Sequence, residues 1–469
     1  MEFSLKNTLY LSGLDLFEPV QSARFMTTTP RFFHKEAALE IGLSTLDLQQ
    51  QSNTFAHFLP LAQDQHPPLA LKYHGHQFRH YNPQLGDGRG FLWAQCLDQN
   101  QRLMDLGTKG SGTTPYSRKG DGRLTLKGGL REILASSLLA HRGVNVSRSL
   151  ALVETHENLV RFDEPSPTRS GVLTRLSHSH IRIGSFERLA YENDFDTMIG
   201  LVKYCLKHLF HQPIGLSHQE LVGHFFDQVC ERTSAALGQM MAAGFVHGVL
   251  NSDNINITGE VFDFGPYRFL PEWDETFTAA YFDETGLYAF GRQPEAYLWN
   301  LSSLAQCLSC FDDKNQLLAI LNDFYPRFHK AFHLALLHRL GLRPNCDETD
   351  KLALKLIFEG LAALKGNGSF DALFNAIRGR TEGLKEAQIG PWGDYFTSDA
   401  ALSLSNLWKS HEDFDFPPQS PSPRLLIEDI EAIWEAINIR DDWSLMEAAL
   451  ESMKGHETPM DSLKALTGQ

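Results

Sequence analysis

Apolar positions along the chain change period partway through. Between residues 70 and 127 they fall in short runs broken by Gly, Asp and Pro, the spacing of strands and turns. Leu103 to Thr108 reads as a strand ending at Lys109-Gly110-Ser111-Gly112. Tyr81 to Leu85 and Phe91 to Leu97 flank Gly86-Asp87-Gly88-Arg89 as two strands flank a hairpin turn. From Lys127 to His141 the period becomes helical, with Leu130, Ile133, Leu134 and Leu138 on one stripe. Residues 171–190 read as a strand followed by a turn. From 190 to 410 the pattern is mainly helical. The spacing predicts helices over Phe225 to Met241, stopped by Gly244, and over Pro294 to Cys310, with Pro at the first helical position. Others are predicted over Gln316 to Leu340, broken or kinked at Pro326, and over Thr349 to Leu364. Glu36 to Leu48 reads as a short helix. His411 to Pro423 reads as a Pro/Ser-rich linker, and Leu425 to Leu450 as an amphipathic helix or helix pair.

One stretch, Phe245 to Gly265, concentrates the polar chemistry between the strand-rich and helical regions. Ile255 to Ile257 and Glu260 to Asp263 read as two short strands around a Thr258-Gly259 turn. Paired that way, Asn254 and Asp263 face each other, their Cα atoms about 4.5–5.5 Å apart. An amide oxygen and a carboxylate so placed suit a hard divalent cation, Mg²⁺ or Mn²⁺, that also takes phosphate oxygens. Asp253 is next to them and could accept a proton. His247 opens the loop. The competing reading is a surface hairpin with solvated polar residues at its mouth.

Asp263-Phe264-Gly265 following an Asp-Asn pair is the layout of a kinase catalytic loop and its metal-binding segment, although His247-Gly248-Val249 replaces the usual His-Arg-Asp. Glu132 lies on a helix apolar on both faces, where an unpaired charge is costly. Lys109 is its natural partner, unless Glu132 is solvated at the helix edge. Strands first, helices later, and this loop between them predict an α+β, two-lobed, protein-kinase-like fold. Its divisions are an N-terminal extension (1–60), a strand-rich nucleotide-binding N-lobe (61–190) and a mainly helical C-lobe (191–410). A linker (411–424) and a C-terminal helical segment (425–469) follow.

Composition narrows the function. With a net charge of −15 and 21% charged residues, the 469-residue chain is unsuited to general nucleic-acid binding. No apolar run reaches the ~20 residues that span a bilayer, and the first residues lack the pattern of a signal peptide. A cytoplasmic location is expected, consistent with six cysteines and no dense disulfide framework. Cys307-Leu-Ser-Cys310 reads as two buried thiols one turn apart rather than a redox or metal pair. His178 and His180 read as part of an exposed polar turn. Each Gly-Asp-Gly-Arg, at 86–89 and 120–123, reads on its own as an ordinary turn, the alternative being a backbone that approaches a phosphate. Arg175 and Arg182 could reach one anion from two sides.

Several runs together carry a resemblance: Gly75 to Phe78, Gln84 to Arg89, Lys109 to Arg118, Gly120 to Arg123, Arg131-Glu132 and His247 to Asn254. In these the chain resembles the selenoprotein O family, kinase-fold protein adenylyltransferases. The resemblance implies ATP bound in a flipped orientation and AMP transferred to Ser, Thr or Tyr hydroxyls of proteins. It implies Asp253 as catalytic base and Asn254 and Asp263 as ligands of Mg²⁺ or Mn²⁺, with Asp263 also at the nucleotide. It implies Lys109, supported by Glu132, at the phosphates, and Gly86, Gly88, Arg89, Asp121, Gly122, Arg175 and Arg182 at nucleotide-contacting positions. The chain departs from the family's usual run at Arg79 to Pro83 and at Gly128-Gly129, and its tail lacks the Cys or selenocysteine redox motif. A γ-phosphate kinase and a non-catalytic nucleotide-binding module remain the rival readings.

Overall fold

The computed structural model describes residues 2–43, 46–162, 164–311, 314–342, 344, 348–378, 380–409 and 424–454. Its mixed α/β architecture is built around one antiparallel sheet. Seven strands form the path: β1 (Phe17–Pro19), β2 (Thr29–Phe33), β3 (Leu69–Leu71), β4 (Leu92–Leu97), β5 (Leu103–Lys109), β6 (Arg148–Leu159) and β7 (Thr168–Ser177). They lie in the order β1-β3-β4-β5-β7-β6-β2, with Leu5–Lys6 added on β4 and Leu124–Thr125 on β7. Alternation along β6 and β7 sorts side chains between two cores. Leu152 and Leu173 turn toward helix α1 (Leu126–His141), whereas Ala151, Val153 and Val172 pack with Phe55 and Trp93 on the opposite face.

Helix α1 starts where Thr125 caps it, the hydroxyl accepting from Gly128 N at 3.0 Å. The glycine pair at 128–129 has a packing reason. A Cβ on Gly129 would lie 2.5 Å from a Leu152 methyl, so the helix rests close on β6. The register of β5 on β7 sets Leu173 opposite Lys109 and Arg175 opposite Gly107, which puts Lys109 and Arg175 on the face that α1 covers.

The helices beyond residue 180 largely follow the predicted periodicity. They are α2 (Ile183–Glu192), α3 (His218–Ala242), α4 (Gln293–Leu308), α5 (Phe324–Arg339), α6 (Ile427–Arg440) and α7 (Ser444–Met453), with others between. The run predicted from Gln316 to Leu340 is two helices that part at Asp323. Pro326 falls in the first turn of α5, where its missing N–H is not needed. The single helix expected over Glu36 to Leu48 is instead two, Lys35–Glu40 and Leu48–Phe55. The second half of 171–190, expected as a turn, is mostly α2. The expected linker at 411–424 lies, apart from Arg424, outside the described residues. Among the described residues no helix is long and apolar enough to cross a membrane.

Two expected hairpins do not form. His80–Asn82 pairs with Gly75–Gln77 rather than with β4, so the first Gly-Asp-Gly-Arg is a connecting loop. The turn of that small hairpin is Phe78-Arg79, both at positive φ (51° and 64°). Likewise the arms at 255–257 and 260–263 do not pair with each other. Ile183 N donates to Ile255 O and Ile257 N to Ile181 O, while Val261 N donates to Asn145 O and Ser147 N to Val261 O. Flanking segments outcompete the other arm for these backbone groups, because buried N–H and C=O groups take whichever partner the packing brings. The turn itself is formed, with Gly259 at φ +74° and an added Cβ 2.5 Å from the Arg232 carbonyl oxygen. Gly259→Ala is therefore expected to lose at least about 1–2 kcal/mol of stability from left-handed strain alone, read as a lower urea midpoint.

Candidate active site

Asp263 is the meeting point of the site. It adopts φ +64°, a left-handed conformation a non-glycine residue takes only when its surroundings compel it. Its carboxylate receives Lys109 Nζ at 2.6 Å and Arg175 Nη1 at 3.1 Å, with Arg182 Nη1 at 3.8 Å. Lys109 Nζ also donates to Glu132 Oε1. One ammonium thus joins the end of β5, the middle of α1 and the central stretch. Burial pushes the Asp263 carboxyl upward, but Lys109, Arg175 and Arg182 outweigh it and hold it well below the usual range.

Asp253 lies on the single 3-10 turn Ser252–Asn254. Its Oδ1 is buried with no hydrogen-bond partner, and Oδ2 lies 3.5 Å from Gln77 Nε2. Burial raises this carboxyl to about 6, against the pull of Arg182. A proton acceptor near neutrality with one bare oxygen is what a general base needs. Arg182 links the two acids. It donates to the Asp253 carbonyl at 3.0 Å, reaches toward Asp87 at 3.5 Å, and lies over the Tyr73 ring (4.1 Å) and the Phe262 ring (5.0 Å). His247 is buried, a setting that lowers its basicity, and its Nε2 meets the Phe262 carbonyl at 2.9 Å, tying the loop's start to the residue before Asp263. Arg131 fastens the segment after Asp263, donating to the carbonyls of Gly265 and Tyr267 at 3.2 Å each, while Tyr267 Oη donates back to the Arg131 carbonyl.

The structure thus gathers Lys109, Glu132, Arg175, Arg182, Asp253 and Asp263. Gly86 and Gly88 flank Asp87 in a loop pressed on the Tyr116 segment, where a Cβ on Gly86 would lie 2.3 Å from the Tyr116 ring. Arg89 is exposed and forms no ion pair among the described residues. The second Gly-Asp-Gly-Arg stands apart from the Asp263 contacts. Asp121 pairs with Arg161 at 2.9 Å, and Gly122, at φ +69°, accepts from Gly112 N at 3.2 Å. From the sequence, Asp87 and Arg131 stand out only as members of motif runs, with no role of their own, and Tyr73 not at all. The only signal for Asp87 was its place between two glycines.

Oxygen donors suited to a divalent cation are present. Asn254 donates Nδ2 to the Val249 carbonyl at 3.0 Å, which orients its amide, and Asp263 supplies a carboxylate. Among the described residues no group of three or more His, Cys, Asp or Glu is placed to hold a metal. An amide oxygen and a carboxylate are donor types that Mg²⁺ or Mn²⁺ take alongside phosphate oxygens and water, but the hairpin expected to set Asn254 opposite Asp263 does not form. Two further expectations are corrected. His178 and His180 are buried, not exposed. The His178 ring nitrogens meet the carbonyls of Leu103 and Leu209, and both oxygens of Glu260 accept from its backbone N–H. Cys310 is exposed just past the end of α4 and Cys307 is half-buried. Burial pushes the Cys307 thiol up to about 12, so neither residue is an activated nucleophile.

Residues 1–454 match the family profile described as Protein adenylyltransferase SelO. The chain is 40% identical over 462 residues to a Protein nucleotidyltransferase YdiU from Synechocystis, covering 92% of this chain and 94% of that protein. It is 41% identical over 452 residues to the protein of the same name from Gloeobacter violaceus, covering 92% and 91%. A shorter match, 41% over 275 residues, links it to the Vibrio cholerae protein, covering 59% of this chain and 55% of that one. With a family profile spanning nearly its whole length, the chain belongs to the protein adenylyltransferase SelO family.

Proposed function

We propose that this protein transfers AMP from ATP to Ser, Thr or Tyr hydroxyls of other proteins, as a cytoplasmic enzyme. The observation that carries the reading is the cation cluster of Lys109, Arg175 and Arg182 around Asp263, beside a carboxylate, Asp253, with one bare buried oxygen. In this reading the fold is two-lobed and kinase-like, a strand-rich lobe (61–190) against a helical one (191–410), with ATP between them in the flipped orientation.

The chemistry follows from the placement of charge. The acceptor hydroxyl oxygen attacks the α-phosphorus, its proton passes to Asp253 Oδ1, and the bond from the α-phosphorus to the bridging oxygen breaks, releasing pyrophosphate. Lys109, Arg175 and Arg182 stabilise the negative charge that develops on the transferred phosphoryl and the leaving group. Glu132 keeps the Lys109 ammonium in place. Gly86, Gly88, Arg89, Asp121 and Gly122 are assigned to the nucleotide's remaining contacts. Asn254 and Asp263 would hold Mg²⁺ or Mn²⁺, which neutralises phosphate charge when bound. Because Asp263 is salt-bridged to Lys109 at 2.6 Å, metal and phosphates must share or displace that contact.

The roles separate experimentally. Asp253→Ala is expected to bind Mg-ATP normally and to slow pyrophosphate release by about 10²–10⁴-fold with a lysate as acceptor source. Asp263→Ala is expected to lose metal-dependent ATP binding in calorimetry. Tight Mg-ATP binding by Asp263→Ala would overturn the metal assignment. Arg182→Ala is expected to weaken nucleotide binding and turnover together, since its guanidinium touches the Asp253 backbone as well as approaching Asp263.

A further inference from the structure

Glu187 on α2 is buried and is not used by the chemistry above. Both its carboxylate oxygens are engaged. Oε1 accepts from His76 Nδ1 at 2.6 Å and Oε2 accepts from Ser252 Oγ at 2.5 Å. Ser252 Oγ in turn accepts from the His76 backbone N–H at 2.7 Å, so the hydroxyl both donates and accepts. Tyr81 Oη donates to the Glu187 carbonyl at 3.3 Å. Three segments are therefore fixed to one carboxylate: α2, the Gly75–Asn82 hairpin and the turn that carries Asp253.

The hairpin meets the catalytic loop residue by residue. Asn251 Oδ1 accepts from Phe78 N at 3.0 Å and from Tyr288 Oη at 2.7 Å. Ser252 is held through His76. Gln77 Nε2 faces Asp253 Oδ2 at 3.5 Å, with Asn82 Nδ2 holding the other end of the Gln77 amide at 3.1 Å. Gly75 comes so close that an added Cβ would lie 3.1 Å from Asp253 Oδ1.

We propose that Glu187 is a positioning residue: through Ser252 it fixes the direction of the Asp253 carboxylate, and through His76 it holds Gln77 against Oδ2, leaving Oδ1 to take the proton. The inference rests on Asp253 acting as the base. Glutamine at 187 exchanges one acceptor oxygen for a donor and removes the charge, so both bonds survive only if His76 switches tautomer. Small displacements of a reacting group cost rate steeply, so the effect falls on turnover.

The test measures pyrophosphate release in Ser252→Ala and Glu187→Gln, each alone and combined with Asp253→Ala. Ser252→Ala deletes one hydroxyl and keeps the test available if Glu187→Gln does not fold. Expected is a fall in kcat on the order of 10–100-fold, with KM for Mg-ATP held within about twofold. In the Asp253→Ala background the same changes should cost less than about twofold, because residues that act as a unit are non-additive. An equal loss in both backgrounds, a KM rise matching the kcat fall, or an unchanged kcat with only a lower melting temperature would each overturn the proposal. A wild-type rate in Asp253→Ala by itself would instead remove the base assignment, and phosphate in place of pyrophosphate from the wild-type protein would remove the AMP reading while leaving the comparison of backgrounds intact.

Discussion

A single ammonium held between two carboxylates sets the geometry of this protein. Lys109 is brought to the end of β5 by the sheet, Glu132 to the inner face of α1 by that helix, and Asp263 to the same point by a backbone in the left-handed region. Each of these charges is buried or nearly so, and removing one partner of a buried pair costs about 3–5 kcal/mol. The sheet, α1 and the central stretch therefore hold one mutual arrangement. Arg175 and Arg182 add two further cations around Asp263, with a second acid, Asp253, beside them. In the proposed reaction, substrate phosphates would share these cations with the protein carboxylates, so no cation is buried uncompensated before they enter.

The helix that carries Glu132 is gripped at both ends of its environment. Arg131 ties it to the segment after Asp263. On its outer side Lys127 pairs with Glu431 of α6 at 2.7 Å, and His141 Nδ1 meets the carbonyl of Met453 in α7 at 3.1 Å. Asp441, just past α6, bridges Arg31 and Arg169 of the sheet at 3.1 and 2.7 Å. The C-terminal helices thus pack on α1 and the sheet, although they are more than two hundred residues from them in sequence.

Much of this was legible before the structure. A carboxylate on a helix apolar on both faces needs a cation, and Lys109 at a strand end was the natural candidate, with a solvated Glu132 the open alternative; the structure forms the pair. The helical periods from 225 onward located α3 and α4 well, because long amphipathic runs leave few alternatives, but merged α5 with the helix before it. Illegible were the pairings decided by distant segments. The arms at 255–263 carry the alternation of a hairpin, yet their backbone partners lie at 145–147 and 181–183, more than seventy residues away. His178 and His180 read as a polar turn because nothing local announces that Glu260 and two backbone carbonyls wait for His178. Glu187 sits on a short helix that was read as a turn, and its partners His76 and Ser252 are far away in sequence. The second Gly-Asp-Gly-Arg rose above an ordinary turn only through the family resemblance, and its contacts with Arg161 and Gly112 are those of an ordered loop.

Which phosphorus faces the acceptor decides between AMP transfer and γ-phosphate transfer. The direct measurement incubates the protein, with and without a cell lysate, with Mg²⁺ or Mn²⁺ and ATP labelled at either the α- or the γ-phosphate, with Asp263→Ala as control. Protein-bound label from α alone, absent in the control, is the predicted result. Label from γ alone would contradict it, and the roles given to Arg175 and Arg182 would have to be redrawn around an ordinary kinase orientation.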